Sequence, residues 1–297
     1  TVLHDYVLHH LVAELTLGAG SFAAYAREMG YDLGDTAAPR LRDIRSGRAA
    51  NPLTEVALNA RVIDSSLGLI VHSHTVAGWI RAIRPAARVA VIPHLVAPRR
   101  ARSRRAELNL PPEALLVAVV GQVTATKQLP LALRAFRRLL AVVPDARFLI
   151  VGQALPEVDL DGLLAELGLG ESVIRMDYVE SFDAFNDWAA TADIVLNLRY
   201  PTLGETSGAA LRVMAAGRAL VVFDHGWYAE IPDGAAVKTP PLDEEALLAA
   251  LLALAGAPER RAALGAAAAR YVAEVCAPAA VAGAMIDFLA ALEPAGA

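Results

Sequence analysis

The sequence predicts an α/β fold with parallel sheets in two domains, and three observations support this prediction. From Leu115 onward, short continuous apolar runs alternate with helical segments, which is typical of a parallel sheet covered on both faces. The chain has 297 residues, enough for two domains of ordinary size. A densely basic stretch over residues 97–105 separates this regular part from a less regular first part. We therefore expect domains over 1–98 and 99–276, followed by a helical segment over 277–297.

The first domain is predicted to contain three short strands between helices. Thr1–Leu3 resembles the end of a strand, and Leu67–Val71 and Val89–Ile92 are short apolar runs. Apolar residues spaced for one helical face predict a helix over 8–30. Further helices are expected over about 53–65 and from His74 to Ile83, with 32–51 loop-like or weakly helical.

The second domain is predicted to contain six strands and five helices, and then helix to the end of the chain. The expected strands are 115–120, 147–151, 172–176, 194–198, 219–223 and 235–237. The expected helices are near 129–143, 159–167, 181–191, 207–216 and 225–230. In such sheets, ligands bind outside the carboxyl ends of the strands. Gly121, Gly152 and Gly204 lie just beyond strand ends, where backbone comes close to a partner.

Composition excludes several classes of function. A net charge of −5 argues against nucleic acid as the main partner. The single cysteine, Cys276, excludes a disulfide framework and a cysteine-based metal site. No apolar run reaches the roughly 20 uninterrupted residues of a membrane span, and Thr1–His10 does not resemble a signal peptide. We expect a soluble, cytoplasmic protein.

The loop after the strand at 194–198 carries the most informative pattern in the chain. Glu205 lies at its tip, and Thr206, Ser207 and Gly208 then begin a helix rich in small residues. Free N–H groups at a helix start bind anions, whereas a carboxylate accepts hydrogen bonds from sugar hydroxyls. The loop therefore favours a nucleotide-sugar enzyme, although a capped core helix with an exposed glutamate is an equally good interpretation of the local pattern.

A second candidate loop follows the strand at 115–120. Gly121 ends that strand, and Lys127 lies six residues later, just before a helix, where an ammonium could reach a bound phosphate. The chain has only one other lysine, Lys238. The P-loop pattern is absent, and a surface lysine is the alternative for this position taken alone.

These motifs resemble those of the retaining, GT-B-fold glycosyltransferases of the "group 1" (family four) class. The resemblance extends from His4 to about Ala290 and is closest in the second domain. It is carried by Glu205 and Gly208, then by the run from Val213 to Gly217 and the strand that follows. It implies two Rossmann-like domains, the first of them incomplete at its N-terminal side, and a last helix that crosses back to the first domain.

The resemblance also implies roles for individual residues. Glu205 would hold hydroxyls of the donor sugar, Lys127 would bind the diphosphate, and His4 would lie near the anomeric centre. The remaining donor-binding candidates are Gly121, Gln122, Arg199, Gly204, Thr206, Ser207, Gly208 and Arg212.

Two positions depart from the family pattern. Gln122 stands where the family has an arginine that binds the diphosphate, and Arg199 could replace that charge. Arg212 stands where the family has a carboxylate that binds the ribose. Asp159 and Asp161 form an Asp-x-Asp pair before a helix, for which helix capping is the better explanation than metal binding. His72 and His74 are assigned to capping and packing, because no third ligand has suitable spacing.

The expected activity is transfer of a sugar from a nucleotide diphosphate to an acceptor, with retention of anomeric configuration and without metal or cofactor. The acceptor, a sugar, lipid or small molecule, is not specified by the sequence, and a peripheral contact with a membrane stays open. Gln122 and Arg212 favour a second hypothesis, a non-catalytic nucleotide-sugar-binding or assembly protein. A sugar-nucleotide epimerase of the same fold is a third.

Overall fold

The computed structural model describes residues 1–50, 52–97, 99–111, 113–156, 158–179 and 181–292. It divides the chain into two compact units. The first unit consists of Thr1–Pro93, Leu203–Thr206 and the described residues from Gly283 onward, and the second consists of His94–Thr202 and Ser207–Ala282. The division lies at Pro93 and His94, a few residues before the predicted one at Pro98, and Pro98 itself lies outside the described residues.

The first unit is built on a parallel sheet of three short strands in the order β1-β2-β3. These strands are β1 (Val2–Leu3), β2 (Leu69–Val71) and β3 (Val89–Val91). Leu3 lies opposite Val71 in the register, so the residues that follow them, His4 and His72, leave the sheet side by side. This juxtaposition places two imidazole rings at the carboxyl edge of the sheet.

The helices of the first unit agree only in part with the sequence-based expectations. They are α1 (His9–Ala13) with a π-helical continuation (Glu14–Gly18), α2 (Phe22–Leu33), α3 (Ala37–Arg45), α4 (Ala60–Asp64) and α5 (His74–Ile83). The predicted helix 8–30 is interrupted because Gly20 takes a left-handed conformation (φ +75°) and Ser21 caps α2 by accepting from the amide of Ala24.

Residues 32–51, expected to be loop-like or weakly helical, contain α3, whereas the prediction of a helix over about 53–65 was wrong except at its end. Pro39 is tolerated because it occupies the first turn of α3, where its missing N–H has no intrahelical partner. Residues 53–59 are irregular, although Val56 and Leu58 are buried in the same cluster as α2. Irregular backbone can thus direct apolar side chains into a core as a helix does.

The second unit is built on a parallel sheet of six strands in the order β6-β5-β4-β7-β8-β9. The strands are β4 (Leu116–Val120), β5 (Arg147–Val151), β6 (Val173–Met176), β7 (Ile194–Asn197), β8 (Ala219–Phe223) and β9 (Val237–Thr239). β4 and β7 are neighbours although three helices separate them in the chain, so the strand order reverses direction between them. In a doubly wound sheet this switch point is where ligands bind. The predicted strand at 235–237 begins two residues later than expected.

Helices cover both faces of the second sheet and bury its side chains. They are α6 (Leu129–Leu139), α7 (Leu160–Leu167), α8 (Phe182–Ala189), α9 (Gly208–Ala215), α10 (Glu244–Ala255) and α11 (Pro258–Val275). Alternate residues of each strand belong to two separate clusters, one containing Val117 and Val119 with α6 and α10, the other containing Leu116 and Ala118 with α9 and α11. The four central strands, β5, β4, β7 and β8, are therefore apolar on both faces, which explains why continuous apolar runs located them correctly.

The last helix, α12 (Pro278–Leu292), ends in the first unit. Phe288 and Leu292 pack against Gly68, and Arg88 Nη1 donates to the Leu292 carbonyl oxygen (3.3 Å). Together, α11 and α12 form a stretch, Pro258–Leu292, that could cross a membrane by length and composition, with a mean hydropathy of 1.9 in a window that is 11% buried. This differs from the sequence-based expectation that no apolar run reaches the length of a membrane span. One such stretch is weak evidence for a membrane span.

Candidate nucleotide-sugar site

The carboxyl edge of the second sheet, at its switch point, brings together Gly121, Lys127 and the start of α9. Gly121 follows β4 with a φ of +89°. A Cβ atom placed on it would lie 2.9 Å from Lys127 Nζ and 3.8 Å from Ala209 Cβ. The absence of a side chain at Gly121 therefore leaves room between an ammonium group and the first turn of a helix.

Helix α9 presents an N-terminus suited to an anion. Ser207, 6% exposed, caps the helix by accepting from the amide of Ala210 (3.1 Å). The amides of Gly208 and Ala209, also in the first turn, have no intrahelical acceptor, and the helix dipole adds partial positive charge there. A phosphate group fits this combination of amides and a neighbouring ammonium.

The surroundings of Lys127 lower the pKa of its ammonium group. It ends a 3₁₀ turn, Ala125–Lys127, and its Nζ donates to the Val120 carbonyl oxygen at the end of β4 (2.9 Å). Burial, and secondarily the positive charge of Arg199, lower the pKa of Lys127 from 10.5 to about 7. An anion placed beside the ammonium would oppose both effects and raise this pKa.

Arg199 lies near Lys127 in a loop that is held by hydrogen bonds to its neighbours. Its carbonyl oxygen accepts from His225 Nε2 (2.6 Å), and the following residue, Tyr200, donates through its amide to the Thr126 carbonyl oxygen (2.8 Å). Gln128 Nε2 donates in turn to the Tyr200 carbonyl oxygen (2.8 Å). These contacts join the loop after β7 to the loop after β4 and bring a second cation to Lys127. The hypothesis that Arg199 replaces the charge missing at the exposed Gln122 is compatible with this placement.

The tip of the loop, Leu203–Thr206, belongs to the first unit. The amides of Tyr6 and Val7 both donate to the Leu203 carbonyl oxygen (2.9 Å each). A Cβ atom on Gly204 (φ +82°) would lie 2.4 Å from Tyr6 Cβ, so only glycine fits at this close approach. Glu205 is 7% exposed, and its Oε2 accepts from the amide of Leu203 (2.6 Å).

Within the first unit, this loop tip and the residues that follow β1 are neighbours. His4 is exposed just beyond β1, two residues before Tyr6, whose backbone is bonded to the loop. The two candidates assigned to the sugar, His4 and Glu205, thus lie on two segments that are hydrogen-bonded to each other. Thr206 Oγ1 is enclosed and has no hydrogen-bond partner among the residues that the structure describes.

Other polar residues have structural partners. The Arg212 guanidinium, one helical turn into α9, stacks on the ring of Phe182 at 4.7 Å. Asp159 caps α7 by accepting from the amide of Gly162 (2.9 Å), as the sequence predicted. His9 is fully buried between the Val56 carbonyl oxygen and the Tyr25 hydroxyl. Over the described ranges, no group of three or more His, Cys, Asp and Glu is placed to hold a metal ion.

The contact between His72 and His4 was missed at the sequence level. His72 Nε2 lies 3.1 Å from His4 Nδ1, and Ser73, not His72, caps α5. Both histidines directly follow apolar runs, and this position could have indicated that they lie at a sheet edge. It could not indicate that they are neighbours, because the pairing of the two strands is a tertiary property.

Comparison with known proteins agrees with the predicted resemblance. Residues 114–256, a little under half of the chain, match the sequence profile of the family described as "Glycosyl transferases group 1". No curated protein sequence matches the chain at a significant level. The matched segment forms most of the second unit.

Solved structures extend the similarity of fold to nearly the whole chain. The sucrose-phosphate synthase of Thermosynechococcus elongatus is 19% identical with a TM-score of 0.70, covering 96% of this chain and 79% of that one. Anabaena HepE in complex with UDP is 15% identical with a TM-score of 0.68, covering 95% and 82%. The C-terminal domain of a group 1 glycosyltransferase from Francisella tularensis (LpcC) is 19% identical with a TM-score of 0.52, covering 61% and 96%. The fold is thus α/β with parallel sheets and matches GT-B glycosyltransferases.

The depressed pKa of Lys127 predicts that donor affinity depends on pH. In the free protein Lys127 loses its proton near pH 7, and a bound diphosphate favours the protonated form. Binding therefore takes up a proton above pH 7, and affinity should fall with rising pH by at most about tenfold per unit. Below pH 7 this group adds no dependence. Calorimetric titration with a nucleotide sugar between pH 6 and 9 measures the slope.

The control for this pH dependence is Lys127→Ala, whose affinity should be lower and nearly independent of pH. If that variant keeps the slope of the wild-type protein, the pH dependence does not come from Lys127 and the assignment is wrong.

Proposed function

We propose that this protein is a glycosyltransferase that moves a sugar from a nucleotide diphosphate to an acceptor with retention of anomeric configuration. The observation that carries the proposal is the space beside Gly121, which lies between the Lys127 ammonium and the first turn of α9. A group 1 sequence over residues 114–256 supports the same assignment. The structures of HepE in complex with UDP and with UDP and glucose support a nucleotide-sugar donor by analogy of fold.

The proposed chemistry is electrostatic. As the bond between the anomeric carbon and the diphosphate breaks, negative charge grows on the leaving oxygen. Lys127, Arg199 and the amides of Gly208 and Ala209 stabilise that charge, because they are fixed in place before the reaction begins. These groups supply the positive charge, so the proposal requires no metal ion or cofactor. Glu205 and His4 are proposed to contact the sugar, and a cytoplasmic location is part of the same proposal.

The first experiment is a thermal-shift titration with UDP-, GDP-, dTDP- and ADP-sugars. Saturation at about 100 times the dissociation constant stabilises a protein by about 2.7 kcal/mol, which shifts the unfolding midpoint measurably. A shift with one donor identifies the nucleotide. Incubation of that donor with candidate acceptors, followed by NMR of the anomeric proton, then tests transfer and retention. Absence of a shift with all four donors would contradict the proposal.

A binding protein without turnover is the second candidate, because Arg212 stacks on Phe182 where the family pattern has a ribose-binding carboxylate. Binding of one donor without transfer or hydrolysis under any acceptor would favour it. Conversion of the bound sugar to its epimer, seen in the same NMR spectra, would instead favour the epimerase.

Glu205→Gln separates the sugar-binding role from the nucleotide-binding role. Glutamine keeps an oxygen that can accept from the amide of Leu203, so the loop should retain its conformation, but the negative charge is lost. We expect turnover to fall by about 10²-fold, comparable to removal of one preorganised polar group, while affinity for the free nucleotide diphosphate is unchanged. A loss of nucleotide affinity would place Glu205 on the nucleotide instead.

A further inference from the structure

Two imidazole rings are joined in series at the carboxyl edge of the first sheet. His72, 8% exposed, directs Nδ1 at the Ile92 carbonyl oxygen (2.8 Å) and Nε2 at His4 Nδ1 (3.1 Å). The ring centroids are 4.9 Å apart. The parallel register of β1 and β2 produces this pair, because His4 follows Leu3 and His72 follows Val71, and these two residues are opposite each other.

The hydrogen bonds determine where the protons lie when both rings are neutral. A carbonyl oxygen can only accept, so His72 Nδ1 carries a proton and donates it to Ile92. A neutral imidazole has one N–H, so His72 Nε2 is an acceptor. His4 must then donate through Nδ1, which leaves its Nε2 without a proton. The carbonyl of Ile92 thus determines the tautomer of His4 through His72.

We propose that His72 is a positioning residue that keeps His4 in the Nδ1–H tautomer, with Nε2 as an acceptor for a substrate hydroxyl. The inference rests on the proposed function, because His4 is the residue assigned there to the sugar. Neutral imidazole in water favours the opposite tautomer, so without His72 the Nε2 atom of His4 would carry a proton and could not accept.

The backbone around His72 is well suited to this role. Ser73 fixes the turn by accepting, through Oγ, from the amide of Val76 (3.2 Å), and the amide of Ile92 donates to the Val71 carbonyl oxygen (2.8 Å). The acceptor carbonyl of Ile92 and the ring of His72 are thus held by adjacent strand ends. A side chain fixed at both ends can orient a second one without contacting substrate itself.

Two substitutions of similar size separate the two bonds of His72. His72→Gln can present an oxygen near the position of Nε2 and accept from His4, whereas His72→Asn can present its amide near Nδ1 and donate only to Ile92. We expect the asparagine variant to lose about tenfold in turnover, the factor for one net hydrogen bond, with KM for the donor unchanged. The glutamine variant should remain close to wild-type turnover. His10→Gln, at an exposed histidine of α1, is the matched control.

The tautomer of His4 is measured directly, without any substrate. Nitrogen-15 NMR of the ring-labelled full chain near pH 8 should show a protonated Nδ1 and an unprotonated Nε2 for His4 in the wild-type protein and in His72→Gln. His72→Asn should shift His4 toward the Nε2–H form. The proposal is overturned if wild-type His4 is the Nε2–H tautomer, or if the two variants have equal turnover.

These measurements distinguish failure of the inference from failure of the proposed function. If the wild-type protein transfers no sugar but its spectra show the Nδ1–H form lost only in His72→Asn, the arrangement of the pair stands and the activity assigned to it is wrong. If sugar transfer occurs and the tautomer does not respond to His72, the positioning role is wrong.

Discussion

Lys127→Ala should lower turnover by about 10²-fold or more, the scale of removing one preorganised group that stabilises a developing negative charge. The effect follows from the position of Nζ, which lies beside Gly121 at the end of β4 and is fixed by the Val120 carbonyl oxygen. Removal also deletes a charge that is expensive to bury, so the free variant should be no less stable than the wild-type protein below pH 7. Steady-state kinetics and thermal unfolding at pH 6.5 measure both effects.

The chain supplies a matched control in Lys238, the other lysine. Lys238 Nζ donates to Asp233 (2.8 Å) and to the Ala229 carbonyl oxygen (2.9 Å). Lys238 lies in β9, an edge strand of the second sheet that is not a neighbour of β4. Lys238→Ala should leave turnover within about twofold, since partly exposed ion pairs contribute little. Equal losses in the two variants would show that the effect at Lys127 reflects general destabilisation rather than a role in the reaction.

Gly265→Ala should destabilise the second unit by about 3 kcal/mol or more. A Cβ atom on Gly265, in the middle of α11, would lie 1.9 Å from the Gly217 carbonyl oxygen, at a turn whose φ is +68°. The clash involves backbone, so it can be relieved only if α11 moves away from the end of α9, and overpacking of this kind costs 1–3 kcal/mol or more. Urea unfolding followed by the fluorescence of Trp188 and Trp227, both buried in this unit, measures the change.

The control for this prediction is Gly283→Ala in α12, where a Cβ atom would meet nothing within 4 Å. Alanine favours helix over glycine by about 0.5–1 kcal/mol, so this variant should be slightly more stable. If Gly265→Ala were as stable as Gly283→Ala, the close approach of α11 to Gly217 would be contradicted.

Sequence patterns located the second unit better than the first for a physical reason. A strand covered on both faces must be apolar throughout, and β5 and β8 were predicted at their observed bounds for that reason. In the first unit, apolar residues such as Val56 and Leu58 enter a core from irregular backbone, with Leu58 at a φ of +48°. Local spacing carries no information about such long-range burial.

The candidate site, too, could be predicted only in part from the sequence. The positions of Lys127 and Ser207 after strand ends could be predicted from spacing, because parallel strands all end at one edge of a sheet. The pKa of Lys127 near 7 could not, since it depends on burial and on Arg199, which reaches it through a loop joined by backbone hydrogen bonds. The hydrogen bonds that join Ile92, His72 and His4 could not be predicted from spacing either, because they depend on the register of β1 and β2.

The first unit is assembled from three separate stretches of the chain, and this has a consequence for biosynthesis. Its sheet is translated before the second unit, but Leu203–Thr206 and the end of α12 are translated after most of that unit. Domains generally fold as units during synthesis, the N-terminal one first. Tyr6 therefore gains its packing partner Gly204, and Gly68 its packing partner Leu292, only after much of the second unit has been translated. The first unit is therefore completed only after most of the second unit has been translated.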